Sequence, residues 1–336
     1  NICGWHCGAW EPCGWKGNRY GVYVDGSANN SIADNNCSDN VGGAGIYLYI
    51  STYNTIQNNT CSGSNVGISL YRSNDNAFTN NTCDSNNHNF FMNKANNNTV
   101  VGNTATNGND GVYVSSSTNN TIADNNCLGS FFGVFLVDSN NNTISGNDCT
   151  FGNNYGIYLD SSPSNIINNN TCSNASVGIA LLDSNNNTIA GNVAQGNIKG
   201  ISLVSSDGNA LIENECLGND EEGGISLSSF SDHNTIFNNS CHGNNLGIYV
   251  GDSSYSTIDG NDLSGNNFAG FVIMGESSNL VLTHNNCSDN GFFGIQIGRA
   301  DHYSIVGNIC NGNSVHGIYL EYSPFDATLI SNNTCS

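Results

Sequence analysis

One phrase recurs along this chain at intervals of 22 to 24 residues. A glycine followed by alternating aliphatic residues leads to a Ser/Asn turn, then to Asn-Thr-Ile and Asn-x-Cys. The phrase opens at Gly21, Gly45, Gly67, Asn89, Gly111, Gly133, Gly156, Gly178, Gly200, Gly224, Gly247, Gly270, Gly294 and Gly317. A repeat of this length predicts a solenoid, in which each repeat forms one coil packed on its neighbours.

The segment 133–149 shows which side chains such a coil turns inward. Val134 and Leu136 alternate with Phe135, so the aliphatic residues point to the core and Phe135 points out. The alternation resumes after the turn and places Asn142 and Ile144 inside. We therefore expect three short strands per coil, about 4.8 Å from those of the next coil. Ladders of inward Asn side chains would hydrogen-bond between coils.

The pattern G-I-x-L-x-x-S-x-x-N-T-I-x-x-N-x-C resembles the NosD-like right-handed parallel β-helix repeats, over residues 18–336. The resemblance implies an all-β fold, a single-stranded right-handed parallel β-helix of about 14 coils of 22–24 residues. Residues 1–17 form a separate Cys/Trp-rich segment. Such repeats are abundant in archaeal surface proteins, notably those of methanogens, and related helices occur in pectate-lyase-like enzymes.

Charge and hydropathy exclude two classes of partner. The formal net charge is −21 with six basic residues, which excludes electrostatic binding to nucleic acid. No apolar run approaches the length of a membrane span. The first residue is Asn1 rather than Met, as expected of a processed product, and the 14 cysteines favour secretion.

Most cysteines share one position of the coil, which we call the cysteine column. It comprises Cys3, Cys37, Cys61, Cys83, Cys127, Cys149, Cys172, Cys216, Cys241, Cys287, Cys310 and Cys335. Ala105, Ala194 and Leu263 replace cysteine elsewhere in the column, which indicates a core position. Disulfides between neighbouring coils are the alternative, since a spacing of about 4.8 Å permits them. We expect mostly buried thiols or a mixture, and no metal, because a straight column cannot surround an ion.

The N-terminal segment has three interpretations. It contains Trp5, Trp10 and Trp15 together with His6, Cys7 and Cys13. A cap over the end of the solenoid, stapled by Cys7–Cys13, is one interpretation. A zinc site formed by Cys3, His6, Cys7 and Cys13 is another, but the spacing matches no strong zinc template. An aromatic element in which the three tryptophans anchor a neighbouring subunit is favoured over zinc.

Asn-x-Ser/Thr sequons mark candidate glycosylation sites. They begin at Asn29, Asn36, Asn58, Asn80, Asn97, Asn119, Asn141, Asn169, Asn174, Asn186, Asn238, Asn286 and Asn332. An Asn/Thr-rich repeat generates sequons by chance, but the alternation turns acceptors such as Asn58 outward. We expect at least some of them to carry glycans in a secreted protein.

The outward position two residues after each strand opening is often aromatic, and we call these residues the aromatic stripe. They are Tyr23, Tyr47, Phe91, Tyr113, Phe135, Tyr158, Tyr249 and Tyr319. Stacking between coils would stabilise the fold. Contact with a neighbouring chain or a polysaccharide is the functional alternative, since exposed apolar stripes mark contact surfaces.

No group of residues forms a convincing catalytic constellation. Asp138, Asp160 and Asp183 make the best acid cluster, but Asp160 is out of phase by one residue and no basic residue lies near it. Arg72 and Lys94 share a corner without a carboxylate partner. A second acidic patch could be a solvated bulge or a loose Ca²⁺ site; it contains Glu213, Glu215, Asp220, Glu221 and Glu222.

These observations predict a structural, non-enzymatic extracellular protein without a resident cofactor. It would be a glycosylated β-helix that assembles with copies of itself, laterally or head to tail, into a cell-surface layer, sheath or filament. A cell-surface polysaccharide is a further expected partner. The alternatives are a carbohydrate-active β-helix, acting as lyase, hydrolase or binding module, and an adhesin.

Overall fold

The computed structural model describes residues 18–152, 154–220, 223–321 and 329–336. The chain divides into two compact units, Asn1–Cys149 (unit 1) and Thr150–Ser336 (unit 2). The predicted N-terminal segment, with its tryptophans and with Cys3, Cys7 and Cys13, lies outside the described residues. The predicted boundary at residue 17 therefore stays a prediction.

The described residues of unit 1 form six long strands, six short strands and two strands of a third kind. The long strands are β1 (Tyr20–Asp25), β3 (Ala44–Tyr49), β5 (Val66–Tyr71), β8 (His88–Asn93), β11 (Asp110–Ser115) and β13 (Phe132–Val137). The short strands are β2 (Ser31–Ala33), β4 (Thr55–Gln57), β6 (Ala77–Thr79), β9 (Thr99–Val101), β12 (Thr121–Ala123) and β14 (Thr143–Ser145). The third kind comprises β7 (Thr82–Asp84) and β10 (Thr104–Thr106).

The described residues of unit 2 form eight long and eight short strands. The long strands are β15 (Tyr155–Asp160), β17 (Val177–Leu182), β19 (Lys199–Val204), β21 (Gly223–Ser228), β23 (Leu246–Gly251), β25 (Ala269–Met274), β27 (Phe293–Gly298) and β29 (His316–Glu321). The short strands are β16 (Ile166–Asn168), β18 (Thr188–Ala190), β20 (Ala210–Ile212), β22 (Thr235–Phe237), β24 (Thr257–Asp259), β26 (Val281–Thr283), β28 (Ser304–Val306) and β30 (Leu329–Ser331).

The predicted fold, a right-handed parallel β-helix of about 14 turns, is confirmed. Within each unit every long strand pairs in parallel with the long strand of the next coil, and every short strand does likewise. None of the described residues forms a helix, so that part of the chain has no helical segment able to cross a membrane. The expected third strand of each coil is mostly a single bridging residue, since only β7 and β10 extend it.

The register explains why the alternating sequence folds in this way. Val134 and Leu136 are fully buried, whereas Phe135 between them is half-buried on the outer face. A shift of one residue would turn both aliphatic side chains to solvent, so the core fixes the pairing. Coils in unit 2 reach 25 residues, as in the pairing of Ala210 with Thr235, slightly beyond the 22–24 of the sequence pattern.

Ladders of inward asparagines satisfy the polar groups of the core, as the sequence predicts. The backbone N–H and the side-chain Nδ2 of Asn103 both donate to Oδ1 of Asn125, at 2.9 and 3.1 Å. Asn125 Nδ2 in turn donates to the Val100 carbonyl at 2.9 Å and to Asn147 Oδ1 at 2.9 Å. Each amide is therefore paired to the coils on both sides, which avoids the cost of burying it alone.

The corners of the coils are left-handed. Asn58, Asn80, Asn169 and Asn238 follow short strands with φ of 54–55°. Asn and Gly enter this region at the least steric cost, which explains why the turns are rich in these residues.

Ten members of the cysteine column, from Cys37 to Cys310, lie in the core as buried thiols. The described cysteines are free, and those from Cys37 to Cys310 are buried. Cys335 is exposed, contrary to the prediction of a core position, because no further coil of the described chain covers it. Buried free thiols are the interpretation that the sequence favoured.

Candidate functional site

The outer face of the long-strand sheet in unit 1 is filled by stacked aromatic rings. The outward column reads Tyr23, Tyr47, Ser69, Phe91, Tyr113 and Phe135 along successive coils. Tyr23 stacks on Tyr47 with ring centroids 5.5 Å apart, and Tyr113 stacks on Phe135 at 5.0 Å. Because each ring covers the face of the next, the stack presents ring edges and leaves little room between coils.

A histidine and an aspartate replace aromatic or aliphatic residues at one edge of this face. His88 Nδ1 contacts Asp110 Oδ2, and Asp110 is only 2 % exposed. The imidazole also packs against Phe91 and Tyr113, with ring centroids 5.5 and 5.6 Å away. Asp110 Oδ1 is buried without a hydrogen-bond partner among the described residues. The contact with the buried Asp110 carboxylate fixes the orientation of the His88 imidazole ring.

The corresponding column of unit 2 has a different composition. It reads Tyr158, Ala180, Ser202, Ser226, Tyr249, Val272, Gln296 and Tyr319. Three small residues in succession leave the face without the side chains that fill unit 1. The residues of the predicted aromatic stripe share one register position, and small residues interrupt them at the centre of unit 2.

An open groove of about 450 Å³ lies where the column is interrupted, and we call it the β21 groove. It is lined by Lys199 on β19, Ser228 on β21, and Leu246 and Tyr249 on β23. The strand between the walls, β21, turns only small outward residues to this face, among them Ser226. Two coil spacings, about 9.6 Å, separate β19 from β23. The groove therefore runs across three neighbouring coils of the outer face.

Two residues give the groove its recognition chemistry. The Tyr249 side chain lies along its own strand over Gly251, where a Cβ would be 2.6 Å from the Tyr249 hydroxyl. Its neighbours in the outward column are Ser226 and Val272. Ser226 is 3 % exposed and is not among the residues that line the groove, whereas the half-buried Ser228 is. The groove thus combines the Tyr249 ring with the Ser228 hydroxyl.

The beginning of this face carries negative charge. Burial, the Asp160 carboxylate, Tyr155 and, more weakly, Asp183 raise the pKa of Tyr158 to about 12. In unit 1 the pKa of Tyr47 is also raised to about 12, but there burial and neighbouring tyrosines are the causes. The pKa values of Tyr47 and Tyr158 are therefore similar, but carboxylates contribute only to that of Tyr158.

The sequons lie on the surface, as expected. Twelve of the thirteen acceptor asparagines are exposed, and Asn286 is half-buried. Eleven of them have φ between 54 and 58°; Asn36 and Asn286 instead form β-bridges. The structure thus gives the asparagines a second reason to be present, since a left-handed corner favours Asn whether or not it carries a glycan.

The remaining predicted site residues do not converge on one centre. Asp138 and Asp183 occupy the left-handed corner after their strands, whereas Asp160 is the last residue of β15, one position out of phase as predicted. Arg72 and Lys94 share that corner, and Arg72 lies over the Tyr71 ring. The described residues contain no metal-binding group of three or more His, Cys, Asp or Glu, so Glu213, Glu215 and Asp220 form no Ca²⁺ site. Glu221 and Glu222 lie outside the described residues.

The family profile described as periplasmic copper-binding protein (NosD) matches residues 10–153, 133–250 and 224–336. The chain belongs to the NosD family. The predicted resemblance to this family is thus confirmed, whereas the link to archaeal surface proteins stays a prediction. No curated protein sequence matches the chain.

Solved structures share the fold at low identity. The periplasmic alginate epimerase AlgG is 16% identical with a TM-score of 0.59, over 87% of this chain and 77% of that one. The catalytic domain of a GH87 α-1,3-glucanase, in complex with tetrasaccharides, is 13% identical with a TM-score of 0.51. That match covers 94% of this chain and 64% of the glucanase chain. Identities in this range show the fold.

The prediction that the chain is not an enzyme is contradicted by these comparisons. It assumed that a solenoid with so few insertions leaves no room for an active site. An epimerase and a glucanase are nevertheless built on the same fold. The β21 groove also shows that small side chains can open a cavity without a long loop.

Copper, which the family description names, has no fitting site among the described residues. Apart from lacking a metal-binding cluster, they bury the thiols that copper would require as thiolates. Contact with Cys149 and burial raise the pKa of Cys127, and burial and Cys216 raise that of Cys241. We therefore derive no chemistry through copper for this part of the chain.

The β21 groove and the His88–Asp110 pair were both missed in the sequence. The groove's signal is the run Ala180, Ser202 and Ser226 in a column that is otherwise largely aromatic. The signal of the pair is an acidic residue, Asp110, at a strand opening that elsewhere holds mostly apolar residues. Both signals are departures from the repeat rather than parts of it.

Proposed function

We propose that this chain is an exported, carbohydrate-active β-helix protein that binds a glycan in the β21 groove. The observation that carries the proposal is the groove itself, where the small outward residues of β21 lie between Lys199 and Tyr249. Its volume of about 450 Å³ falls within the range of small-molecule sites. An open groove that runs across three neighbouring coils suits part of a linear glycan better than a compact cofactor.

The lining chemistry supports a sugar ligand. Glycans combine apolar ring faces with many hydroxyl groups, and binding sites meet them with aromatic rings and small polar side chains. Tyr249 supplies a ring that has no aromatic neighbour in its column, and Leu246 adds apolar surface beside it. Ser228 supplies a hydroxyl that can both donate and accept hydrogen bonds.

The comparisons add support at the level of fold and location. The fold accommodates carbohydrate chemistry in an alginate epimerase and in an α-1,3-glucanase, although a fold alone does not assign function. The family and the epimerase are both described as periplasmic, which agrees with an exported protein. Free buried thiols agree with either side of a membrane, so they do not enter this argument.

The test combines binding with product analysis. The protein is run in gels containing each of a panel of polysaccharides, and the same polysaccharides are analysed for new chain ends or altered sugar residues. We expect at least one polysaccharide to retard the protein, and Tyr249→Ala to weaken that retardation. A protein that is retarded by none of them, or equally with and without Tyr249, would overturn the proposal.

Assembly of the chain with copies of itself, a cell-surface polysaccharide partner and glycosylation of the sequons stay predictions. Sedimentation of native protein measures the first, and mass spectrometry of its glycopeptides measures the last. Neither outcome changes the proposal for the β21 groove, which lies within one chain.

A further inference from the structure

The charge distribution narrows the class of glycan that the β21 groove can take. Unit 2 carries seventeen Asp and Glu residues against two Lys and Arg residues. We infer that the groove binds an uncharged glycan and rejects polyuronates, an inference that rests on the proposed function. Alginate, a polymer of uronic acids, is therefore not its ligand, although an alginate epimerase shares the fold.

Carboxylates on the outer face of unit 2 add to the negative charge of the unit as a whole. Asp160 and Asp183 lie at the carboxyl ends of β15 and β17, close enough to Tyr158 to affect its ionisation. Those strands belong to the sheet whose later strands form the groove. A polyuronate crossing this face would bring carboxylates toward carboxylates. The strands β17 and β15 lie two and three coil spacings from β21, about 10 and 14 Å, so this repulsion acts chiefly at low ionic strength, where the screening length exceeds those distances.

The groove has too little positive charge to offset this repulsion. Lys199 is the single cation among the residues that line it. A polyuronate carries one carboxylate on each sugar, so a stretch of two or more sugars exceeds what one lysine can neutralise. Arginine, whose fork recognises carboxylates by two parallel hydrogen bonds, is absent from the described residues that line the groove.

The residues that line the groove can, by contrast, recognise an uncharged sugar. Ser228 on β21 lines the groove and is half-buried, so its hydroxyl can exchange hydrogen bonds with the hydroxyl groups of a sugar. Tyr249 offers ring surface over Gly251. These groups bind hydroxyls and ring faces, which neutral and acidic sugars share. The surrounding negative charge lowers the binding affinity of the acidic sugars alone.

The experiment uses matched ligands that differ only in charge. Binding of the full chain is measured for neutral glucans, mannans and galactans, for native alginate and polygalacturonate, and for the last two after their carboxyl groups are reduced to alcohols. Each measurement is made at about 0.02 and about 0.5 M salt, which spans strong and weak screening. The double variant Asp160→Asn/Asp183→Asn is measured beside the natural chain.

We expect neutral polymers to bind with an affinity that is nearly independent of salt. Any carboxyl-reduced polymer that binds should do so at least about tenfold more tightly than its native form. The double variant should reduce the difference in affinity between the native and the carboxyl-reduced polymer, because it removes two of the repelling carboxylates. Binding of polyuronates alone, weakened by salt, would overturn the inference and leave the proposed function standing. Binding of no polymer at all would overturn both.

Discussion

Units 1 and 2 are built on the same coil but present different outer faces. In unit 1 the outward column holds five aromatic residues and Ser69, whereas in unit 2 the run from Ala180 to Ser226 holds none. Unit 1 has ten acidic and four basic residues, and unit 2 has seventeen and two. The inward positions show no such divergence, since both units bury the same aliphatic, Asn and Cys columns. The comparison teaches that the core specifies the fold, while the outer column is free to build a stack or a groove.

The largest expected effect tests whether the two cores are equivalent. Asn125→Ala in unit 1 leaves the Asn103 backbone N–H without its acceptor and removes one of the three acceptors of the Asn103 side-chain amide. Asn214→Ala in unit 2 does the same to Asn192. We expect each change to lower the free energy of unfolding by about 3 kcal/mol, because buried donors lose their partners. Urea unfolding measures both.

Equal losses of unfolding free energy in these two variants would show that the cores of units 1 and 2 are equivalent. A loss confined to one unit would contradict it, since the ladder geometry is the same in both. Conservative Asn→Asp variants are unsuitable controls because they bury a charge.

A smaller effect concerns aromatic residues with and without aromatic neighbours in the outward column. Tyr113 packs against Phe91 and Phe135, with centroids 5.3 and 5.0 Å away. We expect Tyr113→Ala to destabilise the protein by about 2 kcal/mol, since two ring contacts are lost together with buried area. Tyr249→Ala, flanked in its column by Ser226 and Val272, should cost clearly less. Thermal unfolding of the two variants measures both losses of stability. Equal losses would show that the outer faces of units 1 and 2 do not differ in packing.

The ionisation of two tyrosines gives the next test. Asp160→Asn/Asp183→Asn should lower the pKa of Tyr158 from about 12, while burial keeps it above the ordinary value. We expect a shift of up to about one unit. The pKa of Tyr47, raised to about 12 by burial and other tyrosines, should not change. Ultraviolet titration with each tyrosine replaced in turn by phenylalanine measures both values.

The sign of the pH dependence follows from the raised pKa. The folded protein favours the neutral phenol of Tyr158, so its contribution to stability is complete below pH 10 and is lost as the pH rises toward 12. In the double aspartate variant this loss should be smaller. An unchanged alkaline unfolding curve would contradict the role given to the two carboxylates.

The smallest effect concerns the left-handed corners, which both units share. Asn141→Ala in unit 1 and Asn186→Ala in unit 2 should each cost about 1 kcal/mol, since φ is 55 and 57° at these residues. The matched Asn→Gly variants should be nearly neutral. If Asn→Gly were as harmful as Asn→Ala, the side chain rather than the backbone would explain these asparagines.

The sequence predicts the fold well because the fold depends on the repeat. The period, the inward aliphatic residues and the Asn ladder follow from one coil, and each further coil adds the same evidence. The groove depends instead on which outward residues break the repeat. Ser69 and Ser226 look alike in the sequence, yet only Ser226 belongs to a run of small residues and has Tyr249 lying beyond it over Gly251. Side-chain direction and spacing across three coils decide this, and neither can be read from a single phrase.

One affinity measurement tests the central claim most directly. Ser226→Tyr would restore the aromatic column and fill the β21 groove, whereas Ser69→Tyr is the same change at the matching position of unit 1, between Tyr47 and Phe91. We predict that Ser226→Tyr weakens binding of the neutral glycan by about a hundredfold or more, while Ser69→Tyr leaves it unchanged. Full binding by Ser226→Tyr, or an equal loss in Ser69→Tyr, would contradict the assignment of the groove.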